Sequence, residues 1–259
     1  MNLSAVYGRI ARFGLCTMQR QMAYLSLQQP VVTFCFDDFP RTALAEAGAM
    51  LSQAGCHGTY YAAAGLINTE TELGEQFTRQ DLLDLLAEGH ELASHTFRHT
   101  SGRSVPYATF ATDVSEGWSA LTEISGSPVS RNFAYPYGDL TLKIKSGLAS
   151  LMTSCRGIYA GLNGPRVDLS LLKACSLYGA KERSYRAAEL ILAAKKQNKW
   201  LLFYTHDVTS QPSPFGCTPD LFKFALSFAL DHGLRVLSVQ EVFASGSIVL
   251  ATRESSRGV

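Results

Sequence analysis

The sequence predicts an α/β fold whose strands curl into a barrel, and three observations carry that prediction. About seven to eight strand-like segments alternate with helix-like ones. No G-x-G-x-x-G follows the first long strand, as it would in an open dinucleotide-binding sheet. The 259 residues suit one barrel, and no repeat, low-complexity tract or Pro/Gly/Ser linker divides them. One barrel domain is therefore expected over residues 29–259, preceded by an N-terminal arm over residues 1–28.

In that arm Leu3, Val6, Ile10 and Phe13 recur at helical spacing. Arg9, Arg12 and Arg20 all precede the first acid, Asp37, so the pattern is that of a basic amphipathic helix. Such a helix can pack against the barrel, lie on a membrane surface as a peripheral anchor, or act as a transit peptide. No uninterrupted apolar core precedes a small-residue cleavage site, so the expected location is cytoplasmic, with membrane association through the arm as the variant of it.

The first strand is the apolar run Val31 to Phe36, of the kind buried on both faces in parallel sheets, and it ends in Asp37 and Asp38. Thr42 then caps a helix to about Ala54, with Gly55 as its stop. Gly58 to Ala63 is the second strand. Thr78-Arg79-Gln80-Asp81 reads as a capping box for a helix that turns Leu82, Leu85 and Leu86 inward and stops at Gly89. His90 to His95 is the third strand, followed by a helix near Tyr107 to Ile124. Asn132 to Pro136 is the fourth strand, with its helix at Leu140 to Leu151. Thr153 to Ala160 and Lys173 to Gly179 are the next two strands, and Ser184 to Gln197 is helical. Trp200 to His206 is a nearly continuous apolar strand. Thr218-Pro219-Asp220 opens the next helix with an N-cap, a proline at the first position and an acid in the first turn. It ends at His232-Gly233, and Leu234 to Val239 closes the series.

Composition narrows the function. The net charge of +1 and the absence of a basic, aromatic-interleaved run give no nucleic-acid footprint. The six cysteines form no C-x-x-C pair, and Cys35, Cys155 and Cys175 fall in strands, where a thiol packs as a small hydrophobe. That usage suits a reducing compartment rather than a disulfide framework.

The histidines divide by position. His57 precedes a strand, His90 starts one and His232 ends a helix, so each has an adequate structural role. His95, His99 and His206 follow strand C-terminal ends, as do Asp37 and Asp38, and that is the end of a parallel barrel where active sites are assembled. His95 and His99, four apart, can face one ion if the chain turns helically. Adding Asp38 gives two imidazoles and one carboxylate, a set that leaves a position for water and is common in hydrolytic zinc sites.

These residues make the sequence resemble the polysaccharide deacetylases of the NodB-homology type, carbohydrate esterase family 4. CFDDF around Asp37 and Asp38 resembles the motif T-F-D-D-G, and HTFRH, from His95 to His99, matches H-[ST]-x-x-H in full. AYPYG, from Ala134 to Gly138, resembles R-x-P-[YF]-G, and YTH, ending at His206, resembles L-x-H. The resemblance spans roughly residues 31 to 206. It implies a NodB-like distorted (β/α)7 barrel and a divalent metal, usually zinc, bound by Asp38, His95 and His99. It implies Asp37 as general base, His206 as general acid, and the backbone N–H of Tyr137 as an oxyanion donor.

Three positions depart from the family pattern. Phe39 stands where the family has glycine, Tyr204 where it has leucine, and Ala134 where it has the arginine that braces the catalytic aspartate. Arg131, Arg166 or Lys173 is the expected replacement for that cation, and Asp168 lies where an acid could orient His206. The expected activity is metal-dependent removal of acetyl from an N-acetylated amino sugar: a polysaccharide, a saccharide precursor or a lipid-linked sugar. The alternatives are a deformylase acting on a lipid-linked amino sugar and a non-catalytic carbohydrate-binding relic of the fold.

Overall fold

The structure is a computed structural model that describes residues 14–18 and 20–250. Its strands are β1 (Met22–Leu25), β2 (Val31–Asp37), β3 (Thr59–Ala62), β4 (Glu70–Thr71), β5 (Gly74–Glu75), β6 (Glu91–Ser94), β7 (Asn132–Ala134), β8 (Ser154–Arg156), β9 (Arg166–Asp168), β10 (Cys175–Ser176), β11 (Trp200–Thr205), β12 (Arg235–Val236) and β13 (Ile248–Leu250). Seven of them form one path, β10-β11-β2-β3-β6-β7-β8, in which every pairing is parallel. The short β12 lies beside the start of β2, pairing Arg235 with Val31. The ends of the path meet at an irregular seam, where Leu172 N–H donates to Cys155 O (2.8 Å) and Gly157 N–H to Leu172 O (3.0 Å). This is the barrel that the alternation of elements predicted, in the distorted form that the family resemblance implied.

Strand alternation sorts the side chains into two layers. Val32, Phe34, Phe36, Tyr60, Leu92 and Phe203 face outward and pack under the helices, while Val31, Cys35, Tyr61, Ala93, Ala134 and Tyr204 belong to a separate inner cluster. The helix signals held at several ends. Thr78 and Asp81 form a reciprocal capping box for the helix Arg79–Ala87, and Thr218 caps Pro219–Asp231. The segment after β2 differs, because a wide π-type turn over Ala43–Gly48 precedes a short helix, Ala49–Gln53.

The arm is described from residue 14 onward, residue 19 excepted. Residues 22–25 form strand β1, which pairs antiparallel with β9 and β13 in a small second sheet. Leu15 is buried against the outer layer around Phe110 and Phe133. The buried Lys145 ammonium holds this segment, donating to Leu15 O (2.6 Å) and Met18 O (2.9 Å) while pairing with Asp168 (2.6 Å). Residues 14–18 and 22–25 thus make contact with the strands and helices of the barrel. The amphipathic run through Leu3, Val6, Ile10 and Phe13 lies outside the described residues. Among the described residues no helix is long and apolar enough to cross a membrane.

Candidate active site

Strand register places the expected residues around one mouth. Thr205 of β11 pairs with Phe36 of β2, which sets His206 alongside Asp37. On the other side Asp37 pairs with Tyr61, and His95 N–H donates to Ala62 O (2.9 Å). Asp37, Asp38, His95, His99, Tyr137 and His206 all line one pocket of about 620 Å³ at the C-terminal ends of the strands.

Asp38 leaves the strand with φ +41°, in the left-handed region that non-glycine residues rarely occupy. This turn aims the two neighbouring carboxylates differently. Thr96 (φ +67°), His99 (φ +54°) and Tyr137 (φ +59°) share that region, so four of the six described non-glycine residues with positive φ surround the pocket. Each such conformation costs about 1–3 kcal/mol and persists only where its surroundings impose it. For the His95–His99 loop the imposing groups are visible. Phe97 N–H donates to Asp113 O (3.0 Å), and Arg98 N–H donates to the buried Asp113 carboxylate (3.2 Å). Gly117 of the helix Tyr107–Ser125 lets the loop sit against it, because a Cβ there would lie 2.5 Å from the Thr96 carbonyl carbon.

The donor atoms of Asp38, His95 and His99 lie within 4.8 Å of one another. His99 Nε2 is 2.9 Å from Asp38 Oδ2. His95 Nδ1 lies 2.8 Å from Ala134 O, and since a carbonyl only accepts, Nδ1 carries the proton and Nε2 keeps its lone pair. Burial pushes His95 down to about 4, so the imidazole is neutral at physiological pH, as a ligand must be. Burial opposes charge on Asp38, yet His95, His99 and His206 outweigh it and hold the carboxyl below its usual range. Asp38 Oδ1 is buried without a hydrogen-bond partner. An unsatisfied buried carboxylate oxygen beside two imidazoles is a donor set that fits a divalent cation.

The cation that faces Asp37 is none of the three expected. It is Arg156, which closes β8, points inward and pairs with Asp37 Oδ1. Its guanidinium sits 5.0 Å from the Tyr61 ring centroid and 5.2 Å from that of Tyr204. Burial disfavours its charge, but Asp37 more than offsets this and raises its pKa. A signal was present in the sequence: an arginine inside a strand otherwise read as buried needs a partner. Asp168 also differs from expectation, because it pairs with Lys145 rather than approaching His206. His206 Nδ1 instead lies 3.1 Å from Phe215 O.

Residues 25–153 match the family described as polysaccharide deacetylase. The chain belongs to the polysaccharide deacetylase family. Its fold is that of several solved structures. The chitin deacetylase of Colletotrichum lindemuthianum is 18% identical, with 84% of this chain and 89% of its own covered at a TM-score of 0.58. The Xyl-CE4 domain of a multidomain xylanase from the hindgut metagenome of Trinervitermes trinervoides is 15% identical, with coverages of 85% and 92% and a TM-score of 0.57. PdaC of Bacillus subtilis, a peptidoglycan deacetylase, is 15% identical, with coverages of 85% and 92% and a TM-score of 0.53. No curated protein matches this sequence. Within the family pattern, Phe39 at the glycine position is accommodated by the core, stacked on Phe77 (4.7 Å between centroids) and edge-on to Tyr60 (5.0 Å). Ala134 leaves room inside the barrel, and its carbonyl, not a side chain, serves the site through His95.

Proposed function

We propose that this polysaccharide deacetylase family member hydrolyses the N-acetyl amide of an amino sugar, with a divalent metal, zinc by preference, held by Asp38, His95 and His99. The observation that carries the reading is the buried, unsatisfied Asp38 oxygen facing two imidazoles beside the Asp37–Arg156 pair. When bound, the metal supplies Lewis acidity that polarises a carbonyl and eases deprotonation of water. Asp37 accepts the proton of the attacking water, and Arg156 fixes the orientation of that carboxylate. The backbone N–H of Tyr137 donates to the oxygen on which negative charge develops. His206 donates a proton to the departing amine, which leaves poorly as an anion. With Nδ1 committed to Phe215 O, its Nε2 is the atom left to carry that proton. The solved relatives named as chitin and peptidoglycan deacetylases support an acetylated saccharide as substrate.

The test is release of acetate from N-acetylglucosamine oligomers by metal-reconstituted protein, with N-formyl counterparts assayed alongside. Asp37→Asn and His206→Ala should each lower turnover by about 10²- to 10⁴-fold. Turnover within a few-fold of wild type in either variant would overturn the assigned roles. Sugar binding without released acetate would favour a non-catalytic binding protein.

A further inference from the structure

We propose a second subsite beside the catalytic pocket that binds a phosphate group carried by the saccharide substrate. It rests on the deacetylase reading above and deepens it by naming the substrate class. A cavity of about 440 Å³ opens between the chain leaving β10 and the first turns of the helix Ser184–Gln197. Tyr178 lines both this cavity and the catalytic pocket, and Pro214 on one side is followed by Phe215 on the other. The Tyr178 and Phe215 rings meet edge to face, 6.1 Å between centroids. The partition between the two spaces is thus one aromatic layer, thin enough for a substituent of the reacting sugar or its neighbour to reach across.

The cavity wall carries two arginines, Arg183 and Arg186, and no acid. Among the described residues Arg183 has no ion-pair partner, and the acidic contact of Arg186 is the exposed Glu189 at 3.3 Å. The walls are tied together: Gly179 N–H donates to Gly216 O (2.8 Å) and Thr218 N–H to Gly179 O (2.9 Å). Arg183, with no ion-pair partner among the described residues, and Arg186, whose one carboxylate partner is solvent-exposed, stand beside Ser176 and suit a tetrahedral dianion. A neutral chain of N-acetylated sugars has no group for them. A phosphate ester does, whether it belongs to a lipid phosphate or to a nucleoside diphosphate.

The test has two parts. Inorganic pyrophosphate is titrated calorimetrically into the metal-loaded full chain, the double variant Arg183→Glu/Arg186→Glu, and Asp38→Ala. Wild type and Asp38→Ala should bind alike and the double variant at least about tenfold more weakly, the range for losing charge-assisted hydrogen bonds. Equal binding by wild type and the double variant, loss confined to Asp38→Ala, or no binding at all would overturn the subsite. In the second part the double variant should raise KM for a phosphate-bearing N-acetylglucosamine about 10-fold or more. Its kinetics on neutral oligomers should stay within about twofold of wild type. Comparing a nucleoside-diphosphate sugar with a lipid-phosphate sugar identifies the source of the phosphate. If the pyrophosphate result holds and neither substrate is deacetylated, the deacetylase reading fails while the anion site stands. If deacetylation proceeds and pyrophosphate is indifferent to the arginines, only the subsite falls.

Discussion

The same strands build a polar layer at each end of the barrel, and the two layers are finished differently. At the N-terminal end Thr59, Glu91, Asn132 and Ser154 form a closed network. Glu91 accepts from Asn132 Nδ2 (2.7 Å), Thr59 Oγ1 (2.8 Å) and Gln240 N–H (2.8 Å), and Ser154 Oγ donates to Asn132 Oδ1 (2.7 Å). Two residues further along three of those strands stand Tyr61, Ala134 and Arg156, and four residues beyond Glu91 stands His95. There Asp38 Oδ1, Tyr61 Oη and Arg156 Nε are buried without partners. Both layers are desolvated, so the difference lies in satisfaction, not burial. A saturated polar layer holds the barrel together; an unsaturated one retains capacity for a ligand. That matches the usual division of parallel barrels between a stabilising end and a catalytic end.

Substitutions that separate activity from stability sharpen this contrast. The largest effect is expected for Asp38→Ala, which should abolish bound metal, measured as metal per chain, and lower turnover by about 10³-fold or more. Its thermal midpoint without metal should fall only slightly, since one carboxylate oxygen is unpartnered and the other loses only its contact with His99. A large loss of metal-free stability would break the distinction between the ends. Next comes Arg156→Met, which should lower kcat by about 10²- to 10³-fold with KM little changed. It should also cost about 3–5 kcal/mol in urea unfolding, as for other broken buried pairs. Arg156→Lys should recover part of kcat; equal kcat in all three proteins would remove the positioning role. Smaller still is Gly117→Ala, whose new methyl presses on Thr96 and shifts the His95–His99 loop. Metal affinity should weaken about 10- to 100-fold, read by competition with a chelating dye. Glu91→Ala, at the opposite end, should leave turnover per folded molecule within about twofold while costing about 3 kcal/mol of stability. If Glu91→Ala silenced the enzyme at a temperature where it is fully folded, the N-terminal layer would be more than scaffold.

Much of this was legible in the sequence because it is local. Apolar runs gave the long strands, and Thr78 with Asp81 gave a helix start, since each depends on residues a few positions apart. The six expected site residues share one pocket because they follow strand ends, which run length and polarity mark. What stayed hidden is non-local. Asp37 and Arg156 are 119 positions apart, and their contact follows from barrel curvature, which no spacing reveals. Strands of two to four residues, such as β1, β9 and β13, are too short to show a period and exist through their pairing. The positive φ of Asp38 likewise follows from its surroundings, not its residue type.

The position of Arg156 has one more consequence. Its backbone stands at the seam, bridged to Leu172, while its side chain reaches an aspartate four strands away along the sheet. The pair therefore works as a strut across the lumen, and its length is set by how tightly the seam is drawn. Loosening the seam from outside, far from any catalytic atom, would slacken the strut and let the carboxylate wander. On the proposed mechanism, the orientation of Asp37 is a gauge of circumference.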